Sequence, residues 1–450
     1  MSMKIKQSIL FSAMQSVTMR ILLASCLLPL AMRAQTALEA IEKDRNFAAG
    51  SYGVYPDSDL PQLTPAPQGY EPFYISHYGR HGSRYLNDTK AYMIPYRTLQ
   101  EADSLGKLTD LGQMALREMR LNIADAEGRW GDLSEIGKQQ QRNIAHRMYQ
   151  NFPQVFCEGA FVDARSTLVT RCVLSMGTFV LQLVKEQPKL EVTMQNSYGD
   201  LWYMNHQHKS LRDSATTQLA QQAFDAMVDS HWIQEVLMNR IFNDSAYARQ
   251  HVDDKWTFYY LLKAAIIQNN TTRSKDPNPL LQLFSSEDLY MFWQVENAWN
   301  YLKSGFCLLN NATQPYLQHY LLGKIISEAD SVIANDQHGV SLRFGHETVL
   351  LPLVCLMGIN DYDFYTDNLE ELETKGWWAN KVYPMGGNLQ IVFYRKNAAD
   401  KNPILKVLLN EREATLPFSS NIAPYYRWSD FRNYYLRKVA EGKSILGAER

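Results

Sequence analysis

Apolar residues fall along this chain in two rhythms. Short runs with the character of buried strands occur at residues 73–76, 161–162, 340–344, 389–394 and 405–409. Between them lie stretches of helical period. After Ser134, Ile136, Ile144, Met148 and Tyr149 fall near helical spacing, with Ser134 placed to cap the helix. Residues 167–186 and 349–357 read as two further helices. Three strand–loop–helix units predict an α/β fold, a largely parallel sheet flanked by helices. Residues 196–330 are different: rich in Trp, Tyr, Gln and Asn, helical in period and poor in strand signals. They read as a mainly helical cap subdomain inserted between the two parts of the core, 35–195 and 331–450.

The N-terminus has its own pattern. Arg20 precedes an apolar run, residues 21–32, too short to span a bilayer, and Ala34 is a small residue beyond it. Residues 1–34 therefore read as a secretory signal peptide, which predicts a periplasmic or secreted chain. Leu23-Ala24-Ser25-Cys26 also resembles a lipoprotein cleavage box, a weaker reading because only five residues separate Arg20 from Cys26. No later run approaches the ~18 apolar residues of a membrane span. Cleavage would leave Cys157, Cys172, Cys307 and Cys355, which form no disulfide framework in so long a chain and no zinc spacing.

Charge narrows the picture further. Over 450 residues, 45 Lys+Arg stand against 47 Asp+Glu. That balance excludes a broad nucleic-acid coat, and 46% hydrophobic residues exclude a disordered chain. What remains is a globular enzyme, expected to be a monomer that meets a small molecule.

In open α/β sheets ligands sit beyond the carboxyl ends of the strands, so the loops there are the places for chemistry. The first loop contains Arg80-His81-Gly82-Ser83-Arg84. Four fixed residues of this kind arise by chance in roughly 0.3% of chains this long. Arginine presents planar, permanently charged donors to phosphate, and two of them keep an intervening histidine neutral and nucleophilic. His77 is expected to orient this loop by hydrogen bonding. The second loop, residues 163–167, offers Arg165 as a third clamp at a helix N-terminus, with Arg171 inside the helix as a structural ion-pair residue. In the third, Glu347 would give a proton to a leaving oxygen and His346 would hydrogen-bond a phosphoryl group. His206 and His208 lack a third metal ligand and read as a polar loop.

RHGSR, a downstream Arg-Ser-Thr and a late His-acid pair, in that order, resemble the histidine acid phosphatase family. Residues 384–389 and 409–411 look most like the multiple inositol-polyphosphate phosphatases of that family. The resemblance implies a histidine phosphatase core that needs no metal or other cofactor. It implies a phosphohistidine on His81, phosphoryl oxygens held by Arg80, Arg84, Arg165 and His346, and a proton from Glu347. Family members usually carry His-Asp or His-Ala-Glu at the third loop; here His346 and Glu347 are adjacent, which leaves Glu71 or Asp88 as alternative donors. Inositol phosphates are the favoured substrate, ahead of general acid or sugar-phosphate phosphatase activity. A non-catalytic phosphate-ester binder would need neither His81 nor a carboxylate at 347. Lys209, Arg212, Arg240 and Arg249 are the cap's candidate cations for further phosphates.

Overall fold

The computed structural model describes residues 36–58, 60–205, 217–231 and 235–447. The signal segment, Cys26, His206, His208, Lys209 and Arg212 lie outside these residues.

The apolar run at 73–76 is the middle of a longer strand, β1 (Glu71–Arg80), buried along nearly its whole length. Helices α1 (Lys90–Ser104) and α2 (Asp110–Ala126) follow. Helix α3 (Glu135–Asn151) starts at Ser134, whose Oγ accepts from Gly137 N at 3.1 Å. Strand β2 (Phe161–Ser166) leads into α4 (Thr170–Glu186), and β3 (Glu191–Asn196) comes next. A helical stretch contains α5 (Asp254–Gln268), α6 (Ser286–Ser304) and α7 (His319–Ala334). Then come β4 (Gly339–Gly345), α8 (Glu347–Met357), β5 (Asn388–Arg395), β6 (Ile404–Leu409), β7 (Arg412–Ala414), β8 (Tyr426–Arg427) and α9 (Trp428–Leu446).

The strands form one sheet in the order β8-β6-β5-β1-β4-β2-β3, with β7 on β6. Strands β1, β4, β2 and β3 run parallel, and β5 joins β1 antiparallel. The parallel run puts the ends of β1, β4 and β2 side by side: Arg80 pairs with Gly345, and Ser166 with Phe344. Both faces of the sheet are covered. Ile144 and Met148 of α3 pack with Met176, Phe179 and Leu183 of α4 on one side. Tyr74 and Tyr78 meet residues of α7, α8 and α9 on the other.

A second, helical core joins α1 and α2 to α5 and α6, through Tyr92, Leu99, Met119, Leu262 and Trp293. The lobe therefore does not coincide with 196–330. It takes in α1 and α2, which precede that stretch, whereas Tyr203, Met204, Ala298 and Tyr301 within it belong to the sheet-side core. Helical periodicity reveals that a helix has a buried face, not which core that face will meet.

Candidate active site

The Arg80–Arg84 loop is held by backbone contacts on every side. Arg80 N donates to Gly387 O (2.8 Å), His81 N to Gly345 O (3.0 Å), and Gly386 N to His81 O (2.9 Å). Gly82 N donates to Ser175 Oγ at 3.1 Å and Ser83 N to Gln140 Oε1 at 2.8 Å. Helix α3 comes so close that a Cβ on Gly82 would lie 2.4 Å from Gly137 O, and one on Gly137 would lie 2.2 Å from Ser83 O. Real side chains do not tolerate such approaches, so glycine at both positions is a steric requirement.

This cage fixes the histidine. His81 is fully buried, and its Nδ1 lies 2.9 Å from Gly82 O. The carbonyl can only accept, so Nδ1 carries the proton and Nε2 keeps a lone pair. That Nε2 has no hydrogen-bond partner among the described residues. Burial, then the charges of Arg80, Arg84 and Arg171, push the imidazole pKa well below its usual value, against a partial opposing pull from Glu347. The ring is neutral, and its Nε2 lone pair lies on the Glu347 side.

Glu347 is the first residue of α8. Its Oε2 sits 3.1 Å from Arg80 Nε and 4.0 Å from His81 Nε2. Burial raises its pKa, but the guanidinium charges of Arg80 and Arg84 outweigh that and hold it well below the usual carboxylate range. The alternative donors are excluded by position. Glu71 starts β1, at the far end of a ten-residue strand from the loop. Asp88 is exposed and accepts from Lys90 N at 2.8 Å.

His346 stands edge-on to His81, with 5.8 Å between ring centroids. Its Nε2 is 3.1 Å from Thr167 Oγ1, and its backbone N donates to Tyr78 Oη at 3.3 Å. Burial lowers its pKa to about 4. Arg80 is buried, and its Nη1 donates to the carbonyls of Ser51 (2.5 Å) and Tyr383 (2.7 Å). Arg84 is buried too, lying over the Tyr52 ring at 5.5 Å, and donates to Tyr85 O at 2.8 Å.

Arg165 is not in this group. Residues 163–166 continue β2 instead of forming a loop, so strand alternation sets the direction of each side chain. Arg165 binds Asp163 at 3.2 Å and Asp200 at 2.8 Å, and its charge is felt by Tyr203 and Glu328. Arg171 lies within electrostatic reach of the cluster instead. It is the second residue of α4, and its charge acts on His81, His346, Arg80 and Arg84. Its Nε is buried with no hydrogen-bond partner among the described residues, so it is not the ion-pair residue the sequence suggested. His77 also departs from expectation. Its ring packs against Phe179 and Phe344 at 5.5 and 5.3 Å, its Nδ1 has no partner among the described residues, and it serves as a wedge behind the loop. Arg240 is tied to Asp288 at 2.7 Å, and Arg249 is exposed.

His81, His346 and Glu347 offer ligand atoms within 4.8 Å of one another. A cation there would face three guanidinium groups, from Arg80, Arg84 and Arg171. The space suits a multiply charged anion, above all a phosphoryl group beside a nucleophile.

Comparison with known proteins agrees. The model of the histidine phosphatase superfamily, branch 2, matches residues 79–410. The chain belongs to that family. This histidine phosphatase is 26% identical over 400 residues to human multiple inositol polyphosphate phosphatase 1, covering 79% of this chain and 77% of the relative. Its fold is that of the Bifidobacterium longum multiple inositol polyphosphate phosphatase solved with inositol hexasulfate, with a TM-score of 0.71 and 17% identity over 87% of this chain and 97% of the other. The phytase from D. castellii gives a TM-score of 0.66 at 13% identity, covering 94% and 92% of the two chains. The family makes this chain a phosphatase, and no helix among the described residues is long and apolar enough to cross a membrane.

Proposed function

We propose that this histidine phosphatase is a secreted phosphomonoesterase that removes phosphate from inositol polyphosphates through a phosphohistidine on His81. The observation that carries the reading is the His81 Nε2 lone pair, buried without a partner among the described residues and 4.0 Å from the Glu347 carboxylate. Arg80, Arg84, Arg171 and His346 hold the phosphoryl oxygens. Nε2 attacks phosphorus, the ester P–O bond breaks, and the departing oxygen takes the proton of Glu347. Water then attacks phosphorus, Glu347 takes its proton, and the P–N bond breaks to return neutral His81.

Without substrate the arginine charges keep Glu347 ionised, so it must gain a proton before it can give one. The bound phosphate supplies that change: its negative charge offsets the guanidiniums that depress the carboxyl pKa. Substrate and proton therefore arrive together, which places the working range on the acid side. The inositol substrate rests on the likeness to the human relative and on the inositol hexasulfate held by the Bifidobacterium enzyme. Export rests on the apolar run at 21–32.

The test compares phytate, a sugar phosphate and an aromatic phosphate, with chelator present, beside His81→Ala. Phosphate release fastest from phytate and lost in the variant is the expected result. Equal release by both proteins would sink the assignment of His81.

A further inference from the structure

His346 is the cap residue before α8, and its ring meets two buried side chains from the second loop and α4. Thr167 follows the last residue of β2, and its Oγ1 lies 3.1 Å from His346 Nε2. Cys172 is in the first turn of α4, and its Sγ lies 3.8 Å from Nε2 and 3.9 Å from Nδ1. Both neighbours are fixed from behind. Thr167 N donates to Phe344 O at 3.0 Å, and Cys172 Sγ donates to Gly345 O at 3.4 Å. A Cβ on Gly345 would lie 3.6 Å from Thr167 Cγ2, so the threonine methyl rests against the end of β4. A β-branched side chain held this way has little freedom at χ1, and its hydroxyl stays on the ring.

The role given to His346 is to donate to a phosphoryl oxygen. A neutral imidazole has one N–H, and the partner of one nitrogen decides where that proton sits. Burial, with the charges of Arg171, Arg80 and Arg84, keeps this ring neutral against the pull of Glu347. Two arrangements are then open. With the proton on Nε2, Thr167 accepts it, and its own hydroxyl proton turns to the Cys172 sulfur, a weak acceptor. Nδ1 is then a bare lone pair, which repels an anionic oxygen. With the proton on Nδ1, the Thr167 hydroxyl donates to Nε2, the Cys172 proton stays on Gly345 O, and every strong donor has a strong acceptor.

We propose that Thr167 is a positioning residue for His346: its hydroxyl donates to Nε2, holds the ring as the Nδ1–H tautomer and leaves Nδ1–H as the donor to a phosphoryl oxygen. The Cys172 sulfur packs against the ring and keeps it from turning. The two histidines of the site are thereby set in the same tautomer for opposite purposes. Gly82 O takes the Nδ1 proton of His81 and frees a lone pair to attack, whereas Thr167 occupies the Nε2 lone pair of His346 and frees a proton to give. The use of that proton rests on the phosphohistidine reading; the tautomer does not.

Thr167→Val keeps the shape and the backbone bond to Phe344 O but has no hydroxyl, and Thr167→Ser keeps the hydroxyl. Long-range proton–nitrogen spectra of enzyme labelled at histidine, with His346→Ala to assign the signals, read the tautomer directly. A protonated Nδ1 is expected in the wild type and a mixed or Nε2-protonated ring in Thr167→Val. A wild-type ring protonated at Nε2 overturns the proposal, as does a tautomer that Thr167→Val leaves unchanged. In steady-state assays on phytate, Thr167→Val should lose roughly 10- to 100-fold in kcat/KM, the usual cost of removing the partner that orients a functional histidine, and Thr167→Ser should stay within about threefold of wild type. In the His346→Ala background Thr167→Val should cost nothing more, because its effect passes through that ring. An equal loss in both backgrounds overturns the proposal, as does a Thr167→Val enzyme as active as wild type. The His81→Ala assay is independent of these outcomes, so a failure of the tautomer and a failure of the phosphohistidine are seen separately.

Discussion

Arg165 and Arg171 are six residues apart and chemically identical, yet one is tied to Asp163 and Asp200 while the charge of the other acts on the nucleophile. The sequence could not separate them, because the outcome depends on where β2 stops: four more strand residues, 163–166, tie Arg165 to Asp163 and Asp200 and leave the cluster's third charge to α4. Arg80, His81 and Arg84 were legible because everything that makes them a site lies within five consecutive residues. Removing one donor to a developing oxyanion typically costs 10²–10³ in rate. Arg171→Ala is therefore expected to lower kcat/KM by about that factor. Arg165→Ala should stay within about threefold of wild type in steady-state assays, since a donor outside the site contributes nothing there. The reverse order would return the clamp to Arg165. Glu347→Gln should slow phytate far more than an aromatic phosphate, whose leaving group needs no proton. Equal slowing of both would remove Glu347 as the acid.

Among the elements, α3 and the turn between β6 and β7 hold the first loop in place. Arg147 of α3 grips the buried Glu411 with two bonds of 2.8 and 2.7 Å, and Tyr55 Oη donates to the same carboxylate at 2.9 Å. Asn410 Oδ1 accepts from Asn388 N at 2.9 Å, next to the Gly386-Gly387 turn that binds Arg80 and His81. These late segments were visible in the sequence only as a likeness; their purpose needs the contact between α3 and residue 411, 264 positions apart. Breaking a largely buried ion pair by removing one partner costs about 3 kcal/mol or more. Glu411→Gln is expected to lower the unfolding free energy by about 3 kcal/mol in urea titrations while leaving KM nearly unchanged. The strands and helices of the core were legible from their periods, but β3 was not, because its two exposed apolar residues, Val192 and Met194, are too few to set a rhythm.

For the whole molecule, the near-balance of 45 basic and 47 acidic residues conceals a pocket of strongly positive field, and pH acts on that pocket through buried histidines. Burial lowers the pKa of His346 to about 4, and burial with the nearby Arg343 lowers that of His77 to about 3. In the unfolded chain both return to about 6.5, so as pH falls the unfolded state binds protons first. Stability is expected to decline from about pH 6.5 downward, toward about 4 for His346 and about 3 for His77, with Glu347 adding to the loss below about 4.5. His77→Phe, between two phenylalanines, should flatten the fall of Tm between pH 6.5 and 4; an unchanged slope would contradict this. The fold class and the two-layer cover of helices followed from the sequence, whereas the make-up of the helical lobe did not, since it joins segments from both sides of β2. The central claim is the covalent step, and its most direct measurement is rapid acid-free quenching of the enzyme during turnover of labelled phytate, followed by peptide mass spectrometry. A phosphoryl group on His81, acid-labile and absent in His81→Ala, is the predicted result; turnover with His81 unmodified at every time point would contradict it.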